Sequence, residues 1–338
     1  MAKSFDLSQL KDQYEGKTIE TPNPVGAKGQ APPIDPRPNI GWLFYKKYYE
    51  GVDFINVKNN KTAIWKPKND AILKQKQSTS GYNFVDEATQ TFGLKTTYPG
   101  LVLGTGIAHG IGGEEEYKIG FFFDHATGLP MIPASSVKGV LRSAFPYFAK
   151  YRNQVNLPKD FVPTEIQKVK AFLIYNLWKE RNFDSEEFDD IKLEKELNDR
   201  TIWQAAHWLE LAIFEGVNIM RSFAEKETVF LSIYERDIFH DALLVKGSLS
   251  EKHKNQILGS DAITPHKGKL KNPIPLLFLK VLPEVTFRFQ FDLKTPRDVD
   301  DKLLDVSKAK KIKMFKQILL NQGIGAKTNV GYGQFQEP

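Results

Sequence analysis

The sequence predicts an α+β fold with a ferredoxin-like (RRM-like) βαββαβ core. Three observations carry the prediction. Phenylalanines alternate at Phe287, Phe289 and Phe291, the period-two pattern of a half-buried strand. Two stretches with apolar residues at helical spacing, 135–149 and 299–321, each follow a strand-like segment. A glycine-rich loop then leads into a last short strand at 330–336. The expected order is strand 97–105, helix 135–149, strand 228–235, strand 285–293, helix 299–321 and strand 330–336. Residues 1–95 are read as a partly irregular N-terminal extension. Residues 96–338 are read as the main domain, with insertions at about 150–225 and 246–272.

Taken in order, residues 1–40 carry Pro22, Pro24, Pro32, Pro33, Pro36 and Pro38, which exclude a long helix or a central strand. The aromatic run from Trp42 to Tyr49 begins a short helix, and 50–92 reads as irregular or weakly helical. Glycines cluster between Gly104 and Gly113 after the first strand. The stretch 121–145 comprises three phenylalanines, Asp124, a turn at Thr127-Gly128, and then Ser135, Ser136, Lys138 and Arg142 on a helix. Serines are good N-caps, and free N–H groups at a helix start favour an anion. In the insertion, Ile166, Val169, Leu173 and Leu177 share one helical face, as do Ile202, Ala205, Leu209 and Ile213. Trp203 and Trp208 are read as core. The excursion 246–272 has few apolar side chains and several lysines, and long loops of this kind are often functional. In the last helix Asp298, Asp300 and Asp301 sit early and Lys308, Lys310, Lys311, Lys313 and Lys316 late, which suits the dipole; Gly323 stops it.

Composition narrows the function classes. The 338 residues are 41% apolar and 12% aromatic, enough for a packed core. The absence of cysteine excludes disulfides, cysteine zinc sites and thiol nucleophiles, and fits a reducing cytoplasm. The first residues form no secretory h-region, and no apolar run approaches the roughly 20 residues of a membrane span. The expectation is a cytoplasmic protein with no membrane partner. A formal charge of +6 favours a polyanionic one.

Two catalytic patterns fail on inspection. Gly325-Ala326-Lys327-Thr328 lacks the first Walker glycine, since Leu320 stands there, and too few residues follow for a helix. Ser135-Ser136-Val137-Lys138 fits S-x-x-K, but Ala262 and Asn329 depart from the accompanying S-D-N and K-T-G motifs of serine acyltransferases. The six histidines show no metal-ligand spacing, so neither metal nor cofactor is expected. The remaining signal is basic and hydroxyl: Ser135, Ser136, Lys138 and Arg142; Lys267, Lys269 and Lys271 in the excursion; Lys327 and Thr328 at the end. In a ferredoxin-like core the helix start and the terminal loop can lie along one groove, giving a split phosphate site.

These residues carry a resemblance. Ile132 to Arg142 (IPASSVKGVLR) resembles the IPGSSLKGxLR signature of the RAMP superfamily of CRISPR effector subunits, with Ala134 where glycine is usual. Gly323 to Gly333 (GIGAKTNVGYG) resembles the family's glycine-rich terminal loop. Three further segments, 39–44, 237–242 and 261–266 leading into 273–279, are similar to the small RAMP subunit near the guide 3′ end of the type III-B (Cmr) complex. The resemblance implies a non-catalytic subunit that binds guide RNA (crRNA), meets target RNA, carries a β-hairpin or thumb, and packs on other RAMP subunits including the backbone subunit. On this reading Ser135, Ser136, Lys138, Arg142, His266, Lys267, Lys269, Gly323, Gly325, Lys327 and Thr328 contact RNA, the two glycines by permitting close approach. Cleavage in such complexes belongs to a backbone aspartate, for which Asp124 and Asp261 are the nearest positions here. The competing class is a nuclease using Asp261 and His266.

Overall fold

The computed structural model describes residues 39–55, 62–75, 89–111, 115–181, 190–264, 275–295 and 306–338. The chain is mixed α/β, organised on a curled antiparallel sheet. Strand β1 (Gln90–Thr96) is central. It pairs antiparallel with β6 (Thr286–Asp292), from Gln90 opposite Phe291 to Lys95 opposite Thr286. Its other edge takes β7 (Phe335–Gln336) through Thr96 opposite Phe335. Two short strands, β2 (Ile238–Phe239) and β3 (Leu243–Leu244), both pair with the far edge of β6. The strand order is β2-β6-β1-β7.

The alternating phenylalanines of β6 do what their period requires. Phe287, Phe289 and Phe291 are fully buried, and Phe92 stacks across the strands on Phe289 and Phe291 at 5.5 and 5.7 Å. Phe315 of α8 (Lys308–Gln322) closes this layer at 5.3 Å from Phe291. Ser307 caps that helix, and Val306, Phe315 and Leu319 are buried, while Ala309 is exposed. The expected start at 299, with its aspartates, lies outside the described residues. Lys311 departs from the solvated basic face: its ammonium is buried, bonds Asp237 at 2.7 and 3.0 Å, and donates to the Lys294 carbonyl.

Three strands and one helix depart from the bounds the sequence predicts. The first strand is 90–96 and not 97–105, because Pro99 and the turn from Thr97 to Gly100 break the later segment into single bridges at Leu101 and Val102. The expected strand 228–235 is instead one bridge at Phe230 and a 3-10 turn, Ile233–Glu235, with Ser232 and Glu235 forming a capping box. The strand from 330 shortens to Phe335–Gln336, behind a 3-10 turn at Thr328–Val330. The helix expected over 135–149 is α3 (Ala134–Ser143), ended before Pro146.

The described residues of the N-terminal extension contribute to the core. Helix α1 (Ile40–Tyr45), capped by Asn39, the 3-10 turn after it (Lys47–Tyr49), and α2 (Thr62–Leu73), within the stretch read as irregular or weakly helical, contribute Phe44, Tyr48 and Trp65 to the same buried cluster as the sheet. The Tyr48 hydroxyl donates to Asn69 at 2.8 Å and accepts from the Tyr117 amide at 2.9 Å. With β1 at 90–96, the division at residue 95 cuts through the central strand.

The helical insertion comprises α4 (Glu165–Lys179), α5 (Asp190–Leu197), α6 (Arg200–Glu210), a π turn (Leu211–Glu215) and α7 (Ile219–Glu225). Trp203 is buried, and the Trp208 indole donates to the Val155 carbonyl. In α4 three residues of the predicted stripe, Ile166, Val169 and Leu173, are exposed, Leu177 is half-buried against the core, and Ala171, Ile174 and Trp178 face inward. The helix carries two apolar stripes, and spacing alone does not choose between them. Finally, β4 (Leu258–Ile263), within the region read as an excursion, pairs in an antiparallel hairpin with β5 (Leu276–Val281), which lies beyond that region.

Candidate nucleic-acid interface

Helix α3 is held from several sides. Pro133 stands at its N-cap with no side-chain bond, and the Asp241 carboxylate accepts from the Ala134 amide at 2.6 Å. The serines therefore do not cap this helix. Its N-terminus is served by a carboxylate of the chain itself, which corrects the simple anion site. Lys138 donates to the Phe214 carbonyl at 3.4 Å and lies 5.5 Å over the Phe239 ring. Arg142 pairs with Glu210 at 3.2 Å and with Glu215 at 2.5 Å, and lies 4.9 Å from the Tyr147 ring centre. Both basic side chains thus clamp α3 to the π turn of the insertion. Burial pushes the Glu210 carboxyl up to about 7, against the pull of Arg142. What α3 leaves exposed is small: Ser135, Gly139 and Ser143, one turn apart. A Cβ at Gly139 would meet nothing within 4 Å. The helix therefore tolerates a poor helix former at a position where its own packing does not require one.

The glycine-rich loop is locked to its own chain. Gly323 and Gly325 have φ of +68° and +98°. A Cβ at Gly323 would sit 2.4 Å from the Gly333 carbonyl, and one at Gly325 would sit 2.3 Å from the Val102 carbonyl. The close approach these glycines permit in this structure is to backbone of the same chain. The loop bonds follow: Ile324 to Gly333 at 2.9 Å and Ala326 to Val102 at 2.7 Å. At its tip Lys327 has φ +61°, and its carbonyl accepts from Val330 and Tyr332. The Lys327 ammonium and Thr328 hydroxyl make no hydrogen bond among the described residues, and both residues are half-buried.

The two motifs meet, but not at the helix start. Ser143, the last residue of α3, donates to Gln322 at 3.2 Å, one residue before Gly323. Ser135 and Ser136 lie seven or eight residues back, about 11–12 Å along a helix axis. The loop is therefore neighbour to the C-terminal end of α3.

Hairpin β4–β5 is tied to the same loop. Asp261 accepts from Lys280 at 2.6 Å and from the Tyr332 hydroxyl at 2.7 Å. Phe278 packs edge-on to Tyr332 at 5.6 Å, and both join Val102 in a small separate core. Burial raises the Asp261 carboxyl, but the Lys280 and Tyr332 bonds outweigh it and hold the group below the usual carboxylate range. Asp124 is engaged in its turn, accepting from the Thr127 amide and hydroxyl at 2.8 and 2.7 Å. His266, Lys267, Lys269 and Lys271 lie outside the described residues.

Among the described residues no group of three or more histidines and carboxylates stands where it could hold a metal ion, and no helix is long and apolar enough to cross a membrane. Sequence reasoning missed the partners Asp241, Glu210 and Glu215. No spacing signal points to them, since their contacts to α3 span 68 to 107 residues.

Residues 93–336 match the RAMP superfamily, and the chain belongs to that superfamily. Among solved structures, a type III-B Cmr-beta complex bound to cognate target RNA is similar at 20% identity, with a TM-score of 0.37, over 82% of this chain and 75% of that one. Cmr6 from Pyrococcus furiosus is similar at 21% identity, with a TM-score of 0.32, over 74% of this chain and 98% of that one. None of the curated proteins matches the chain.

Proposed function

We propose that this chain is a non-catalytic RNA-binding subunit of a type III-B CRISPR (Cmr) effector. It would hold the guide RNA backbone near its 3′ end and cap a filament of RAMP subunits in the cytoplasm. The strand order β2-β6-β1-β7, antiparallel throughout, supports reading the sheet as a ferredoxin-like core. The single observation that carries the function is the loop tip. Lys327 and Thr328 stand on backbone pinned by Gly323, Gly325 and Gly333, and nothing among the described residues occupies their polar ends. A preorganised ammonium and hydroxyl with no partner of their own suit a phosphate. Ser135 and Ser136 on α3 would meet a neighbouring part of the backbone, and Gly139 leaves room for it. Lys138 and Arg142 would act by anchoring α3. Hairpin β4–β5 is our candidate thumb, set by Asp261 against Tyr332, with His266, Lys267 and Lys269 belonging to its connection. An ionised Asp261 already holding two donors is a poor general base, which disfavours a nuclease.

The test is a salt titration of single-stranded RNA binding. Each lost phosphate contact should reduce the slope of log affinity against log salt by about 0.7. The Lys327→Ala protein should lose about that much. An unchanged slope and affinity would remove the loop tip from the RNA path.

A further inference from the structure

We propose that a pocket outside both motifs receives one nucleobase of single-stranded RNA. It encloses about 580 Å³, within the range of small-molecule sites, and its walls include Trp42, Tyr45, Lys46, Ile107, Phe122 and His125. This inference rests on the RNA-binding reading above.

The walls are ring faces held on a fixed support. Asn39 caps α1 by accepting from the Trp42 amide at 3.0 Å. Tyr45 is pinned through its hydroxyl, which donates to the Phe121 carbonyl and accepts from the Phe123 amide. On that support Trp42 remains 45% exposed and Ile107 53% exposed. The Lys47 ammonium lies 5.2 Å from the Trp42 ring centre, and an exposed indole beside other rings, on a capped helix, offers its remaining surface as a stacking platform.

The chemistry specifies a base face more than a base edge. The Asn39 amide is tied to the fold at both ends, its oxygen accepting from the Trp42 amide and its nitrogen donating to the His125 carbonyl. Asp124 serves Thr127. Stacking without edge readout is tolerant of sequence, as a subunit handling many guides requires. Lys46 is exposed at the rim with no side-chain partner among the described residues, and supplies a cation for the flanking phosphate.

The pocket also lies near the loop. Gly104 packs against Ala326, next to Lys327. Ile107 is three residues further along, a reach of at most about 11 Å. A strand held at Lys327 passes within a short oligonucleotide's length of Trp42.

The experiment uses the full chain and a labelled ten-nucleotide RNA, with a second RNA of equal length carrying abasic positions. The parent should bind the base-containing RNA more tightly than the abasic one. Trp42→Ala should weaken binding of the former about five- to 100-fold, with the salt slope unchanged, and bind the two RNAs alike. Trp42→Phe should keep most of the affinity. If Trp42→Ala melts early, the Phe variant and the abasic comparison on the parent still decide the matter. Equal parent affinity for both RNAs, or parent-like binding by a folded Trp42→Ala, overturns the proposal while leaving a Lys327 effect intact. Loss of subunit association with RNA affinity preserved would mean that the pocket takes a protein side chain, which also overturns it. A parent that binds neither RNA sinks the RNA-binding reading itself.

Discussion

Helix α3 and the terminal loop read alike as sequence: small residues, then a lysine beside a hydroxyl, both suited to phosphate. In the fold they diverge. Lys138 and Arg142 of α3 turn toward Phe214, Glu210 and Glu215, and Asp241 holds the helix start. Lys327 and Thr328 stand on a locked loop with their polar ends unspent among the described residues. The difference comes from what was inserted after each motif. The helical insertion that follows α3 docks back on it through its basic side chains, whereas the turn after Thr328 closes on its own backbone, Val330 and Tyr332 donating to the Lys327 carbonyl. A basic residue in a binding motif can thus be the anchor of an insertion.

The largest expected effect breaks that anchor. Arg142→Ala leaves Glu210, whose side chain is 4% exposed, without its cation and with the Tyr147 amide as its remaining donor. Removing one member of a buried pair costs about 3–5 kcal/mol, and partial exposure of Arg142 places this case at about 2–3 kcal/mol. Chemical denaturation should show that loss, while RNA affinity measured well below the melting temperature stays near the parent's. If instead stability holds and RNA binding collapses, α3 is a phosphate site after all and the contrast with the loop disappears.

The same ion pair predicts a pH dependence. Glu210 binds its proton more tightly in the folded state, near pH 7, than in an unfolded chain near 4.5. Its contribution to stability is therefore fully present below about pH 4.5 and is lost as pH rises through about 7. Denaturation midpoints of the parent relative to Glu210→Gln should fall between pH 5 and 8. A difference that stays flat or rises with pH would mean that Arg142 keeps Glu210 ionised throughout.

Much of this architecture was legible in the sequence, and the misses have physical causes. Period-two phenylalanines placed β6 because a half-buried strand has no other use for them. The last helix and its glycine stop were legible for the same local reason. The first strand was misplaced by a few residues because TTYPGLVLG is as apolar as QTFGLKT, and only the turn at Pro99-Gly100 separates them. Most of the α4 stripe was misassigned because Ile166, Val169 and Leu173 repeat as regularly as the residues that are buried. At the site, Gly323 was legible as a helix stop, and both Gly323 and Gly325 as positions that permit close approach. That their neighbours are Gly333 and Val102 depends on contacts no local pattern encodes.

A smaller effect separates hairpin placement from catalysis. Asp261→Asn weakens the bonds that join β4–β5 to Tyr332, and losing a charged hydrogen bond costs about 1–2 kcal/mol. Target cleavage by an assembled complex containing this variant should continue at the parent rate, with melting slightly lowered. Cleavage that vanishes while assembly and RNA binding persist would make Asp261 a catalytic acid or base.

The smallest expected change in stability tests the other side of the contrast. Lys327→Ala removes a side chain with no hydrogen-bonding partner among the described residues, so melting should shift by less than about 0.5 kcal/mol. The backbone there is already strained at φ +61°, and alanine meets the same strain as lysine. A Lys327→Gly substitution should relax that strain and leave the loop at least as stable. Both variants lose the ammonium, so both should lose the same salt-dependent share of RNA affinity. That concordance separates charge from loop shape. If Lys327→Gly binds RNA like the parent while Lys327→Ala does not, the loop acts through its backbone amides and the lysine is incidental.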